Sequence, residues 1–189
     1  YPIDLSNQQG VIFGLANERS IAWSVCETLS KAGMRLAIAY QNERLRGRVE
    51  RLTQNLKDVV LIPCDVTKDA EIENLYGILK NEFGNIHCLV HSVAYAQRED
   101  LGGEFSKTSR IGFKTAMEIS AFSLIPLVRH VSDLMPTGGS IITMTFQASA
   151  RVFPGYNIMG TAKAALENEV RQLAAEYGKR NIRINAITL

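Results

Sequence analysis

Disulfide and metal signatures are missing from this chain. Its three cysteines, Cys26, Cys64 and Cys88, are an odd number, widely separated, and each sits inside an apolar run. That pattern excludes a disulfide frame and a clustered metal site, and it predicts reduced core thiols of the kind found in cytoplasmic proteins. There is no CxxC pair, no HExxH and no glycine-rich loop ending in lysine, so zinc-protease and P-loop chemistry are out. No apolar run approaches the ~20 residues of a membrane-crossing helix. Charge of one sign is scarce as well. The 21 Lys and Arg nearly balance the 19 Asp and Glu, and a net +2 is too small to argue for nucleic acid or a membrane surface as a partner. The opening Tyr1-Pro2-Ile3-Asp4-Leu5 has neither the basic region nor the apolar core of a secretory signal. It begins without Met, so the sequence is expected to start inside the natural chain.

What is present is an ordinary globular composition, 46% hydrophobic and 21% charged over 189 residues, enough for one domain with a real core. Strand and helix signals alternate. Strand-like runs fall at Val11–Phe13, Arg35–Tyr40, Val59–Ile62, Ile86–Val90, Ser140–Met144 and Ile182–Ile187. Between them lie helical patterns at Ser20–Ala32, Asn42–Leu56, Asp69–Phe83, a long one at roughly Ile111–Leu134, and Asn157–Tyr177. Ser20 is a plausible N-cap and Gly33 follows its helix. Near-continuous apolar strands, each followed by a helix, predict an α/β fold: a doubly wound, Rossmann-like parallel sheet with helices on both faces. No linker or internal repeat divides it, so 1–189 reads as a single domain. Ligands of such sheets bind beyond the carboxyl ends of the strands, near the point where strand order reverses.

Chemistry is expected in Thr145–Lys163. Pro154-Gly155 breaks the chain before the last long helix, and Tyr156 and Lys163 are seven positions apart. At 100° per residue they would differ by only about 20° around a helix axis. The lysine arm leans back toward the N-terminus and so toward the phenol. A proton donor and a cation could then share one cofactor; the plainer alternative is a helix-start aromatic and a solvated charge.

Three strand ends bear on that choice. The first turn, Gly14-Leu15-Ala16-Asn17 to Ser20-Ile21-Ala22, lacks GxGxxG, but Gly14 permits a sharp turn and the helix N-terminus suits a diphosphate. Asp65-Val66 follows the third strand and offers a carboxylate to an adenine amino group. His91-Ser92-Val93-Ala94-Tyr95 follows the fourth, with small residues leaving room for ribose and nicotinamide. After the second strand stands Gln41, with Arg44, Arg46, Arg48 and Arg51 beyond it. Arginines there can bind a 2′-phosphate or simply form a solvated helix face, and residue types alone leave both open.

These segments resemble the NADH-dependent enoyl-[acyl-carrier-protein] reductases, a divergent branch of the short-chain dehydrogenase/reductases. The resemblance is carried by Gly14–Ala22, Tyr40-Gln41-Asn42-Glu43 with Gly47–Glu50, Cys64-Asp65-Val66 with His91-Ser92, and Tyr156–Lys163 with Arg183–Ile187. The Tyr-x6-Lys spacing is specific, because ordinary members of the wider family use Tyr-x3-Lys, and here Gly160 stands at that place. The resemblance implies that Gly14, Ser20, Ile21, Gln41, Asp65, Val66, Val93 and Lys163 contact NADH. It puts Tyr156 on the substrate carbonyl and Ala96 near the acyl chain. It implies an enoyl thioester on acyl carrier protein as substrate, a homotetramer and a cytoplasmic location, with no metal.

The implied reaction is hydride transfer to a trans-2-enoyl thioester in fatty acid elongation, Tyr156 holding the enolate oxygen and Lys163 the ribose hydroxyls. Two departures stand out. The family's second active-site tyrosine, ten positions before the first, is Phe146 here. Relatives also continue past the position of Leu189 into a glycine-proline turn, a substrate-covering helical segment and a last strand; the expectation is of a chain lacking these, its sixth strand left as an edge. Two rival readings follow: a 3-oxoacyl or ketone reductase, hinted at by Thr143, and an inactive dinucleotide-binding homologue, hinted at by Phe146.

Overall fold

The computed structural model describes residues 3–188; Tyr1, Pro2 and Leu189, named above, lie outside the described residues. In chain order the elements are β1 (Gln9–Phe13), α1 (Ile21–Lys31), β2 (Arg35–Tyr40), α2 (Glu43–Thr53), β3 (Val60–Pro63), α3 (Asp69–Phe83) and β4 (Cys88–His91). Then come α4 (Arg110–Met117), a π-helical turn at Glu118–Phe122, α5 (Leu124–Val131), β5 (Gly139–Thr145), α6 (Ile158–Tyr177) and β6 (Ile182–Thr188). The six strands are all parallel, in the order β3-β2-β1-β4-β5-β6. Strand order reverses between β1 and β4, which makes that gap the place for a ligand.

Alternation along the strands divides the core. Val11, Phe13, Ala37, Ala39, Leu89 and Ile141 face α3, α5 and α6. Ile12, Leu36, Ile38, Tyr40 and Val90 face α1 and α2. Strands apolar on both faces need cover on both, and the helices supply it. The single long helix expected at 111–134 is instead two helices joined by the π turn. Helical structure from Arg110 to Leu134 is long and apolar enough to cross a membrane, although scattered charges keep its apolar runs short. It is a core element, with Ala116, Ala121, Leu124, Leu127, Val128 and Val131 all at 0% exposure. Among the described residues all three cysteines are unpaired, with Cys26 and Cys64 buried.

A polar residue after an apolar run predicts a rim position, but His91 closes β4 and is completely buried. Its register partner Thr143 lies 2.8 Å from Nδ1, and Ser123 Oγ lies 2.9 Å from Nε2. Ser123 donates its own proton to the Ile119 carbonyl at 2.7 Å, so it accepts from Nε2–H, and Thr143 donates to Nδ1. Burial, and then the nearby Lys163 cation, push this imidazole down from 6.5 to about 3. The unfolded chain therefore takes up a proton below about 6.5 that the folded chain refuses until about 3. Stability is full above the upper value and falls on acidification by about 1.4 kcal/mol per pH unit. Urea unfolding of His91→Gln should lose about 2 kcal/mol less than the parent between pH 6.5 and about 5. Equal losses in the two proteins would show that His91 protonates freely in the fold.

Candidate active site

Gly14 follows β1 with φ +96°, and a Cβ there would come within 2.0 Å of the Ser92 carbonyl oxygen after β4. Glycine is therefore required twice over, by conformation and by contact. This close approach shapes a cleft of about 510 Å³ at the carboxyl ends of β1 to β4, lined by Gly14, Gln41, Asp65, Val66 and Val93. A second cleft of about 320 Å³ shares Ser92, Val93 and Ala94 with the first and adds Ile21, Phe146, Tyr156 and Lys163. The residues expected around a dinucleotide thus line two adjoining clefts, with one exception. Ser20 stands at the N-cap of α1, but its hydroxyl turns into the loop and donates to the Asn17 carbonyl at 2.6 Å. Ala96 lines neither cleft. A Gly14→Ala variant should bind NADH at least tenfold more weakly, by fluorescence titration; unchanged binding would place the nucleotide elsewhere.

On the β2 side, Gln41 offers an amide and no charge. Asn42 caps α2 by accepting from the Arg44 amide at 3.1 Å. Arg46 is held by Glu50 at 2.8 Å and Glu43 at 3.5 Å, while Arg48 reaches the Ala16 carbonyl at 3.4 Å. Half of this arginine row is thereby committed to the helix and the first turn. Asp65 Oδ1 accepts from Thr67 N at 3.1 Å and Thr67 Oγ1 at 2.8 Å, and its Oδ2 lies 3.8 Å from the Lys68 ammonium.

Tyr156 and Lys163 do share a cleft, but not for the reason expected. Tyr156 is in the turn before α6, and Asn157 there has φ +38° and ψ −119°, so no helical angle relates the two side chains. The turn itself swings the phenol inward. Its ring lies 5.0 Å from the Phe146 ring, which lies 4.7 Å from the Phe153 ring. Phe146 therefore packs behind the phenol as the middle of an aromatic row and contributes no donor. Partial burial holds the Tyr156 hydroxyl above its usual range, so it stays a proton donor at neutral pH.

Lys163 is 5% exposed, and its ammonium donates to the Met144 carbonyl at 2.7 Å. Burial pulls it down from 10.5 to about 8, opposed by Glu167 one turn along α6. Glu167 is fixed in turn by the Thr145 hydroxyl at 2.7 Å. Thr145 heads the stretch expected to carry chemistry and Met144 ends the strand before it, but the sequence assigns neither a role: Met144 acts through its main-chain carbonyl, which carries no residue signature. Glu167 was legible only as the i,i+4 neighbour of Lys163. The displaced lysine also has a local cause. A Cβ on Gly160 would sit 2.8 Å from the Ala148 carbonyl oxygen, so no side chain fits where Tyr-x3-Lys would put one.

A Rossmann-type sheet of order 3-2-1-4-5-6 with a tyrosine–lysine pair at its ligand edge defines a dinucleotide-binding protein of the short-chain dehydrogenase/reductase kind. A family model described as Enoyl-(Acyl carrier protein) reductase matches residues 14–189, and the chain belongs to that family. It is 44% identical over 186 residues to the NADH-dependent enoyl-[acyl-carrier-protein] reductase FabI of Bacillus subtilis, covering 97% of this chain and 72% of that protein. It is 41% identical over 189 residues to the FabI of a Nostoc species. Among solved structures, the Bacillus cereus enoyl-acyl carrier protein reductase with NADP+ and an indole naphthyridinone has a TM-score of 0.95 at 43% identity, covering 98% of this chain and 73% of that one. The Anaplasma phagocytophilum enzyme in complex with NAD also has a TM-score of 0.95, at 36% identity, covering 97% and 70%.

Proposed function

We infer that this chain is an NADH-dependent enoyl-[acyl-carrier-protein] reductase, reducing the trans-2 double bond of an enoyl thioester in fatty acid synthesis. The observation that carries this is that buried Lys163 and Tyr156 line one cleft, which shares Ser92, Val93 and Ala94 with the cleft around Gly14. The cradle between Gly14 and Ser92, which a Cβ would fill, fits a diphosphate pressed against main chain. The uncharged Gln41 and the engaged Arg46 suit a free 2′-hydroxyl. Bound NADH supplies the hydride. Tyr156 donates its hydroxyl proton in a hydrogen bond to the thioester oxygen as negative charge gathers there. Lys163 orients the ribose hydroxyls, and its cation adds positive potential beside the developing anion. Gly14, Ile21, Gln41, Asp65, Val66 and Val93 are assigned to cofactor binding on the same grounds, with Ser20 contributing main-chain groups and Ala96 the acyl side.

Phe146 keeps the packing of the family's tyrosine without its hydroxyl, so its role in this reading is to set the tilt of Tyr156. Ketone reduction is disfavoured by Thr143, whose hydroxyl is fully buried and spent on His91. The unpaired thiols suit a reducing compartment such as the cytoplasm. Exposed Ile111, Phe113 and Phe122 on and beside α4 support a homotetramer that covers them, and residues 1–189 are read as one catalytic unit. The direct test is NADH oxidation with crotonyl and with acetoacetyl thioester. Crotonyl turnover should exceed acetoacetyl turnover by at least about a hundredfold; the reverse order would sink the assignment.

A further inference from the structure

The turn that presents Tyr156 is bolted to a loop more than fifty residues earlier. Gly102 donates its amide proton to the Gly155 carbonyl at 3.1 Å, and the Asn157 side-chain amide donates to the Gly102 carbonyl. One peptide residue is thus gripped on both sides, by the residues immediately before and after the tyrosine. Left-handed backbone makes the grip possible: φ is +79° at Gly102, +60° at Gly103, +81° at Gly155 and +38° at Asn157. Three of the four are glycines, for which such angles carry little cost; Asn157, with ψ −119°, lies outside the left-handed helical basin that asparagine tolerates, so its contacts have to hold it there.

The gripped loop is anchored independently at its other side. Asp100, 4% exposed, accepts from the Ser109 amide at 2.6 Å and the Ser109 hydroxyl at 3.1 Å, at the start of α4. Gly112 must lack a side chain there, because a Cβ would overlap the Asp100 carboxylate. Asp100 therefore ties the loop to the α4 terminus, while Gly102 ties it to the tyrosine turn. Asn157 also lines a cavity of about 310 Å³, and Tyr156 borders both that space and the cleft that holds Lys163. A side chain bordered by two open spaces needs a brace against rotation.

We propose that Asn157 is a positioning residue for the reductase reaction: its amide, through Gly102, holds the Tyr156 turn against the Asp100-anchored loop and fixes the hydroxyl's aim. This rests on the enoyl reductase reading above. Without the brace the turn keeps its sequence neighbours but gains freedom about Gly155, and a donor displaced by about an ångström loses much of its effect on the transition state. Of the cofactor contacts only Lys163 shares α6 with Asn157, and it is tied separately to the Met144 carbonyl; the others lie on different elements and are untouched.

Two substitutions separate the side chain from the backbone. Asn157→Gly accepts φ +38° but has no amide; Asn157→Asp keeps the shape and sets a carboxylate oxygen against the Gly102 carbonyl. Both should lower kcat about tenfold while the KM for NADH stays within about twofold, and both should speed deuterium exchange at the Gly102 amide. Unchanged kcat in both variants overturns the proposal. So does a loss of kcat matched by an equal rise in the NADH KM, which marks general loosening, or exchange at Gly102 equal to that of the parent. If the parent itself reduces no enoyl thioester, the functional reading fails separately, and exchange at Gly102 still decides whether the brace exists.

Discussion

Replacing Tyr156 with phenylalanine is expected to lower kcat by about a hundredfold or more and leave NADH binding intact. A donor aimed at a developing oxyanion is typically worth about 3 kcal/mol, which is about two powers of ten in rate. The aromatic row makes this a clean substitution. The ring stays between Phe146 and the cavity beyond, so only the hydroxyl is removed. Raised above its usual range by burial, that hydroxyl carries its proton throughout the neutral range and serves as a donor, not a phenolate. Steady-state rates with a saturating enoyl thioester, alongside fluorescence titration of NADH, check both halves. A variant with parental kcat would mean that another group meets the enolate oxygen.

Lys163→Ala should weaken NADH binding by tenfold or more and lower the melting temperature as well. Two losses combine. The cofactor loses its buried cation, and the Met144 carbonyl, which accepts from Nζ at 2.7 Å, is left without its partner at a cost of about 1–3 kcal/mol. Lys163→Arg should recover part of the stability but not the affinity, because a planar guanidinium does not fit the space of an ammonium. The same residue sets a pH limit. Its conjugate acid is pulled down to about 8, so in the free enzyme the cation is lost as pH rises through that value. The kcat/KM for NADH should therefore fall on the alkaline side of about 8. It is the free enzyme's groups that this ratio reports. Glu167→Gln, by removing the charge that favours the protonated lysine, should move that fall to lower pH. A profile flat to about pH 10 would show that Lys163 does not act as a cation.

Much of the fold was legible because its signals are local. Apolar β-branched runs punctuated by glycine gave the strands to within one or two residues, and Asp69–Phe83 was found with both ends right. The long helix before β5 was read as uninterrupted because a π turn inserts an extra residue without altering hydrophobic content. His91 shows the opposite failure. A polar residue at a strand's end reads as a rim residue, yet β4 pairs one residue further than its apolar run, in register with Phe13 and Thr143. That step places the imidazole in the interior. Tyr156 and Lys163 line one cleft, but Tyr156 stands outside α6, so the turn before the helix and not the helical repeat brings them there.

Residue order alone therefore determined the alternation of strands and helices, the need for glycine after β1 and the pair of side chains set seven positions apart. Those properties depend on neighbours a few bonds away. Tertiary structure decided which main-chain carbonyl receives Lys163, why Gly160 excludes a side chain, and how Gly102 meets Asn157. Each is a contact between segments far apart in the chain, made only when parallel strands lock into register and bring their connecting loops to a common edge.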